Sequence, residues 1–264
     1  MKINSQNQLY RLDECSSMDL DTILKQNENS VVLLPLGSVE PHGPHLPLAT
    51  DRLLSEMNAL RAAQALHTHH VNAWIAPALA YGVTEYAQGF CGAISLSQSL
   101  YENLLIEISE QYLKAGFKLV CWINHHLEPK QLAAIKEAQT RMNAQAPHKR
   151  VIAPAVVSRR WGRALGQEFK SGACHAGEYE SSMILNSHPH LVQQELAQTL
   201  PELEISLSEA IQKGRAGFVD IGMEQAYTGS PATACAKEGE RLYQAHTNMV
   251  VTEILENLGL EIEQ

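Results

Sequence analysis

The apolar, β-branched run Val31-Val-Leu-Leu-Pro-Leu36 stops at Gly37, and from Asp51 a different pattern begins, with Leu53, Leu54, Met57, Leu60, Ala63 and Leu66 on one helical face. The first run is too short for a helix and reads as a buried strand; the second reads as an amphipathic helix with Thr50 at its N-cap. This unit recurs. Ala73–Ala78 reads as a strand followed by a Gly-containing loop from Tyr81 to Gly89, then a helix from Ser97 to Ala115. Lys118–Asn124 reads as the next strand, His125–Glu128 as a polar turn, and Pro129 opens a helix at a position where proline is favoured. A strand over Val151–Val157 and a long helix over Ala234–Asn257 complete the pattern. Strands alternating with helices give right-handed βαβ units. The expected fold is therefore α/β, a three-layer sandwich with a mostly parallel sheet and helices on both faces, in one domain spanning residues 1–264. Leu203–Ser230 breaks the alternation and reads as an irregular excursion, a lid or a subunit contact.

Composition narrows the function. With 20 Lys+Arg against 29 Asp+Glu, the formal charge of −9 repels phosphate backbones and anionic lipid, so neither nucleic acid nor membrane is expected as a partner. Cys15, Cys91, Cys121, Cys174 and Cys235 are odd in number and widely spaced, as reduced thiols would be. The N-terminal stretch has no apolar leader pattern, and a cytoplasmic location is expected.

Ligands of open parallel sheets bind beyond the carboxyl ends of the strands. Two polar clusters fall there: Glu40 and His42 after the first strand, and His126 and Glu128 after the Lys118–Asn124 strand. Asp51, in the first turn of the following helix, can return to the same loop. In each pair the spacing is i, i+2, which in extended backbone aims both side chains to one side. Two imidazoles and three carboxylates suit Zn²⁺ or Mn²⁺, and a carboxylate free to bridge allows two ions about 3.5–4 Å apart. No helical H-E-x-x-H, P-loop or G-x-G-x-x-G competes. Other histidines have simpler readings. His45 shapes the loop, His125 points away from the side His126 faces, His67, His69 and His70 end a helix, and His188 and His190 flank a turn proline. Cys174 beside His175 reads as a structural thiol, since sequence neighbours rarely form a nucleophile–base pair.

The same residues carry a family resemblance. Gly37-Ser-Val-Glu-Pro-His-Gly-Pro-His-Leu-Pro-Leu-Ala-Thr-Asp51 resembles the creatininase-family stretch G-S-x-E-Q-H-G-P-H-L-P-L-x-T-D. Tyr81-Gly-Val-Thr-Glu-Tyr86, Phe90-Cys-Gly-Ala-Ile-Ser-Leu96 and His175-Ala-Gly-Glu-Tyr-Glu-Ser-Ser182 resemble the family's Y-G-x-S-x-E-H, F-P-G-T-I-S-L and H-A-G-x-x-E-T-S segments. Asn124-His-His-Leu-Glu-Pro129 is similar to the N-G-H-Y-E-N turn of creatininase itself rather than to the commoner N-G-H-G-G-N.

The resemblance implies that Glu40 and His126 hold one metal, His42 and Glu128 another, and Asp51 bridges them. It implies two divalent ions per chain, Zn²⁺ and/or Mn²⁺ with Fe²⁺ admitted. His175 would protonate the leaving nitrogen, Glu180 would act as base, ligand or orienting group, and Glu128 would also take part in catalysis. Thr84, Leu127, Cys174 and Trp161 would face the substrate. Coordination that lowers a water's pKa to about 7 would supply the nucleophile. The activity implied is hydrolysis of a C–N amide bond in a small molecule, non-peptide and cyclic or linear. The alternatives are a formamide hydrolase, a small-peptide peptidase of the same family, and a metal-binding scaffold without turnover. Family members commonly form homo-oligomers, hexamers among them. Departures at His125, Pro129, Tyr86 and Cys91, and the lack of tryptophan in Lys170–Cys174, imply a pocket shaped for something other than creatinine.

Overall fold

A computed structural model describes residues 11–26, 29–144 and 150–260. Four parallel strands, β1 (Ser30–Leu36), β2 (Asn72–Ile75), β3 (Leu119–Asn124) and β4 (Val151–Ile152), are ordered β2-β1-β3-β4. Every residue of β1 is buried, as in a strand covered on both faces. Val31 and Leu33 pack into one core and Val32, Leu34 and Leu36 into the other, so the period of two along the strand divides the molecule into layers.

Nine α-helical segments are named here among the described residues. Helix α1 (Ser17–Gln26), α3 (Gln98–Ala115) and α4 (Pro129–Asn143) cover one face through Ile23, Tyr101, Leu105, Ala134 and Ile135. Helix α2 (Thr50–Thr68), α6 (Glu178–Ser187) and α9 (Ala236–Leu258) cover the other through Leu54, Leu66, Met183, Ile184, Leu242 and Val250. The short α5 (Gln167–Ser171), α7 (Gln194–Ala197) and α8 (Leu207–Gln212) lie in the connections. The three-layer parallel architecture is the one the sequence pattern implies.

Pro35 sits in a central strand without breaking the ladder. Its carbonyl accepts from Leu79 N on the β2 side, and β2 has already ended at Ile75, so that side asks for no N–H from residue 35. At Gly37 a Cβ would lie 2.7 Å from Arg52 N; the bare glycine lets the start of α2 close onto the end of β1 and brings Asp51 beside the loop carrying Glu40 and His42. Gly239 does the same for α9, where a Cβ would lie 2.0 Å from Ser182 O.

Several boundaries differ from expectation. Thr50 is the first residue of α2 rather than its cap; Ala49 occupies the cap, and the Thr50 hydroxyl donates to Pro47 O at 2.7 Å in the preceding turn. Ser97 does cap α3, accepting from Leu100 N. Strand β4 stops at Ile152, far short of Val157, because this edge strand pairs only with Val120 and Cys121 and Pro154 follows. Helix α6 gives no amphipathic signal because Tyr179 through Ile184 are all buried. The Leu203–Ser230 segment contains α8 and a small core of its own, in which Leu207, Phe218, Met223 and Ala226 pack with Ala87.

Candidate metal centre

The loop after β1 delivers Glu40 and His42, the first turn of α2 delivers Asp51, the turn after β3 delivers His126, the loop into α6 delivers His175, and the first turn of α6 delivers Glu180. All six side chains are buried, although burying charged groups is costly unless they are paired or bind an ion. His126 Nδ1 lies 3.1 Å from both Glu40 Oε1 and Asp51 Oδ2. His42 Nε2 lies 3.3 Å from Asp51 Oδ1, 3.6 Å from Glu180 Oε2 and 3.8 Å from Glu40 Oε1. His175 Nδ1 lies 3.8 Å from Glu40 Oε1.

The opposite nitrogen of each ring fixes what faces this cluster. His42 Nδ1 is 3.1 Å from Glu40 O, His126 Nε2 is 2.8 Å from Val83 O, and His175 Nε2 is 2.9 Å from Pro41 O. A carbonyl can only accept, so these nitrogens carry the protons, and the opposite nitrogen of each ring faces carboxylate oxygens, with a bare lone pair when the ring is neutral and with a proton when it is charged. Lone pairs facing carboxylates repel unless a cation lies between them, and backbone carbonyls behind the rings orient metal-binding histidines in the same way. His42 Nε2 and Asp51 Oδ2 have no hydrogen-bond partner. The donor set thus fits divalent cations in three overlapping trios, Glu40, Asp51 and His126, then His42, Asp51 and Glu180, and Glu40, His42 and His175, of which the first two share Asp51. Nitrogen and oxygen donors without thiolate suit Zn²⁺ and Mn²⁺.

The electrostatics express the same demand for positive charge. Burial opposes the charged form of His42, yet Asp51, Glu180 and Glu40 outweigh it and hold the imidazole up at about 10. His126 is likewise raised by Glu40 and Asp51 against its burial. Asp51 is driven down despite burial by His42 and His126. Burial pushes Glu180 up to about 8 and Glu128 up to about 7, and burial together with His42 holds His175 down at about 4.

Glu128 is not within any of these trios. It precedes Pro129 at the start of α4, its Oε2 accepts from Tyr86 N at 3.2 Å, and it lines the cavity beside the cluster. Glu180 stands in the place beside His42, its Oε2 anchored by Ala176 N at 2.6 Å. Leu127 and Cys174 line the cavity. Thr84 and Trp161 do not. The fully buried Thr84 donates its hydroxyl to Glu40 Oε2 from behind, turning Oε1 toward His126. Trp161 is held away by its Nε1–H, which donates to Glu253 on α9 at 2.7 Å. His45 also stands behind the centre, on the Ser181 hydroxyl at 2.8 Å, and His125 stacks on His246 with ring centres 4.5 Å apart. All five cysteines are free thiols.

Above the cluster opens a cavity of about 680 Å³. Its walls include Tyr86, Phe169, Leu207 and Phe218, the last two from the Leu203–Ser230 segment. Tyr86 closes one of the segments that resemble the family, whereas Phe169, Leu207 and Phe218 carry no motif and nothing in the sequence pattern marks them.

The sequence profile of creatinine amidohydrolases matches residues 13–254. The chain belongs to the creatininase family. Among its relatives, the mycofactocin precursor peptide peptidase of Mycolicibacterium smegmatis is 31% identical over 226 residues, covering 83% of this chain and 81% of that one. The enzyme of the same name from Mycobacterium tuberculosis (strain H37Rv) is 30% identical over 230 residues, covering 81% and 80%. A solved creatininase described with Mn shares the fold with a TM-score of 0.72 over 94% of this chain and 98% of that one, at 18% identity. Creatininase-family hydrolases thus act on both a peptide and creatinine. No helix among the described residues is long and apolar enough to cross a membrane.

Proposed function

We propose that this creatininase-family member hydrolyses the C–N bond of a linear, peptide-like amide, using two divalent ions, Zn²⁺ or Mn²⁺. The observation that carries the reading is the set of three buried imidazoles, each backed by a carbonyl and aimed at carboxylates, at and just beneath the floor of an apolar-walled cavity. Glu40, Asp51 and His126 would hold one ion and His42, Asp51 and Glu180 the other, with Asp51 offering one oxygen to each. Ions held there would polarise the amide carbonyl and lower the pKa of a bound water.

The chain's own groups do the rest. His175, with Nε2–H fixed on Pro41 O, has only Nδ1 available to the site, so Nδ1 takes up a proton from the attacking water and delivers it to the departing nitrogen. Glu128 lines the cavity beside the trios and orients the nucleophile or its proton. Phe169 and Phe218 exclude water from the reacting bond. The cavity is of the size that encloses drug-sized ligands, which favours an extended amide over a single small ring. The peptide named for the mycobacterial relatives supports the same choice.

The test is turnover of matched panels, short acyl-peptides against cyclic ureides, lactams and formamides, before and after chelation and metal return. Chelator-sensitive cleavage of the peptides is expected. Preferential cleavage of the cyclic ureides would overturn the linear-amide reading, and cleavage untouched by chelation would overturn the metal's role.

A further inference from the structure

We infer that Arg159, Arg163 and Lys170 form an oxyanion-binding subsite in the cavity, so that the substrate carries a carboxylate or phosphate on the portion remote from the scissile amide. The inference rests on the amide-hydrolase reading of the floor. All three residues line the same cavity as Glu40, Asp51 and His126, and all three are exposed. They are cations over an acidic floor in a chain of net charge −9.

Several of the protein's other arginines are neutralised. Arg52 is paired with Glu56, Arg61 with Glu240, Arg160 with Glu256 and Arg241 with Glu238. Arg159, Arg163 and Lys170 have no carboxylate within ion-pair distance among the described residues.

The segment that carries the two arginines is divided in a way that leaves them available. Arg160 makes two hydrogen bonds to the Glu256 carboxylate, at 2.9 and 2.6 Å, and lies over the Trp161 ring at 4.4 Å; Trp161 in turn is tied to Glu253. These contacts anchor the turn to α9. Arg159 and Arg163, on either side of the anchored pair, line the cavity. Lys170 is on α5, which is fixed through its neighbour Glu168, whose carboxylate accepts from Glu178 N, Tyr179 N and Ser230 N at 2.9, 2.9 and 2.7 Å. The backbone under the cations is thus held in place before any ligand arrives, and Phe169 continues the apolar wall beside them.

Guanidinium forks and an ammonium are the groups that recognise planar carboxylates and phosphates. An anion drawn to them is kept off the carboxylates of the floor, which orients the ligand with its amide inward. A free peptide carboxyl end and a phosphate monoester share this chemistry.

The test compares binding to the metal-loaded protein of three matched probes: hippurate, its neutral amide hippuramide, and N-benzoyl-phosphoethanolamine. They are titrated against wild type and the triple variant Arg159→Gln, Arg163→Gln, Lys170→Gln by calorimetry at low and high salt. In wild type an anionic probe is expected to bind at least about tenfold more tightly than hippuramide, less so at high salt. That preference is expected to vanish in the variant while metal content and melting temperature stay unchanged. The stronger of hippurate and the phosphate probe names the source of the anion. Equal binding of charged and neutral probes, no measurable binding of either anion at millimolar concentration, or a preference that survives the triple variant would overturn the inference. Failure of the hydrolase reading shows separately, as anion preference without chelator-sensitive amide cleavage.

Discussion

Thr84→Val isolates the link between the scaffold and the metal centre. The substitution keeps the branched shape of a fully buried side chain and deletes only the hydroxyl that donates to Glu40 Oε2. Glu40 Oε1 then loses the constraint that directs it to His126 Nδ1 at 3.1 Å. A hydrogen bond to a charged group contributes about 1.5–3 kcal/mol, and here its loss leaves a buried carboxylate oxygen without a donor. Loss of a group orienting a metal ligand weakens affinity about 10–100-fold. That range corresponds to about 1.4–2.7 kcal/mol, the same size as the lost hydrogen bond. Competition of the protein against a calibrated chelator for Mn²⁺ or Zn²⁺ measures it. With the metal sites saturated, KM is expected to match wild type, because Thr84 lies behind Glu40 rather than in the cavity. Unchanged metal affinity with a raised KM would refute the reasoning and put the hydroxyl on the substrate.

Three further outcomes follow from the same geometry. Glu128→Gln is expected to retain both ions by elemental analysis while turnover falls at least about 100-fold, the usual scale for a group handling a proton; loss of one ion would place Glu128 in the shell of His42. Glu168→Ala removes the acceptor for two backbone N–H groups at the head of α6 and for Ser230 N, and is expected to cost about 2 kcal/mol in urea denaturation, where an effect under about 0.5 kcal/mol would contradict the anchoring role. Burial, then the neighbouring His125, keeps His246 neutral well below the usual imidazole range. Its depressed pKa means that folding stability is intact above about pH 6.5 and declines as pH falls, by about 2 kcal/mol at pH 5 for a histidine that stays neutral. A His246→Asn variant should show a flatter decline of metal-free stability between pH 7.5 and 5, and an identical slope would contradict this.

Much of the architecture was legible because β1 and β3, buried on both faces, are short continuous apolar runs, while α2, α3, α4 and α9 each bury one face and so carry a helical period in the sequence. Helix α6 did not announce itself because it is enclosed on several sides, and β4 was overestimated because an edge strand ends where its partner does. The four residues Glu40, His42, Asp51 and His126 could be gathered from loop positions at strand ends, and Gly37 supplies the close approach that makes Asp51's return possible. How Glu128 and Glu180 lie relative to His42 is visible only in the fold. Both are acidic residues just after a motif histidine, and what separates them is a backbone N–H: Tyr86 N holds Glu128 at the wall, and Ala176 N turns Glu180 toward His42. Thr84 lies within a family segment and Trp161 near one, but position along the chain carries no information about the direction of a side chain. Arg159, Arg163, Phe169 and Lys170 come from one stretch, and only the fold brings that stretch to Phe218 and to the metal-site loops.

The central claim is a pair of ions sharing Asp51, and anomalous diffraction at the metal edge from crystals of the Mn²⁺- or Zn²⁺-loaded protein tests it most directly. Two peaks about 3.5–4 Å apart are expected astride the Asp51 carboxylate, one bonded to Glu40 and His126 and the other to His42 and Glu180. A single peak, a second ion bonded to Glu128 with Glu180 turned away, or no peak at this cluster would contradict the account.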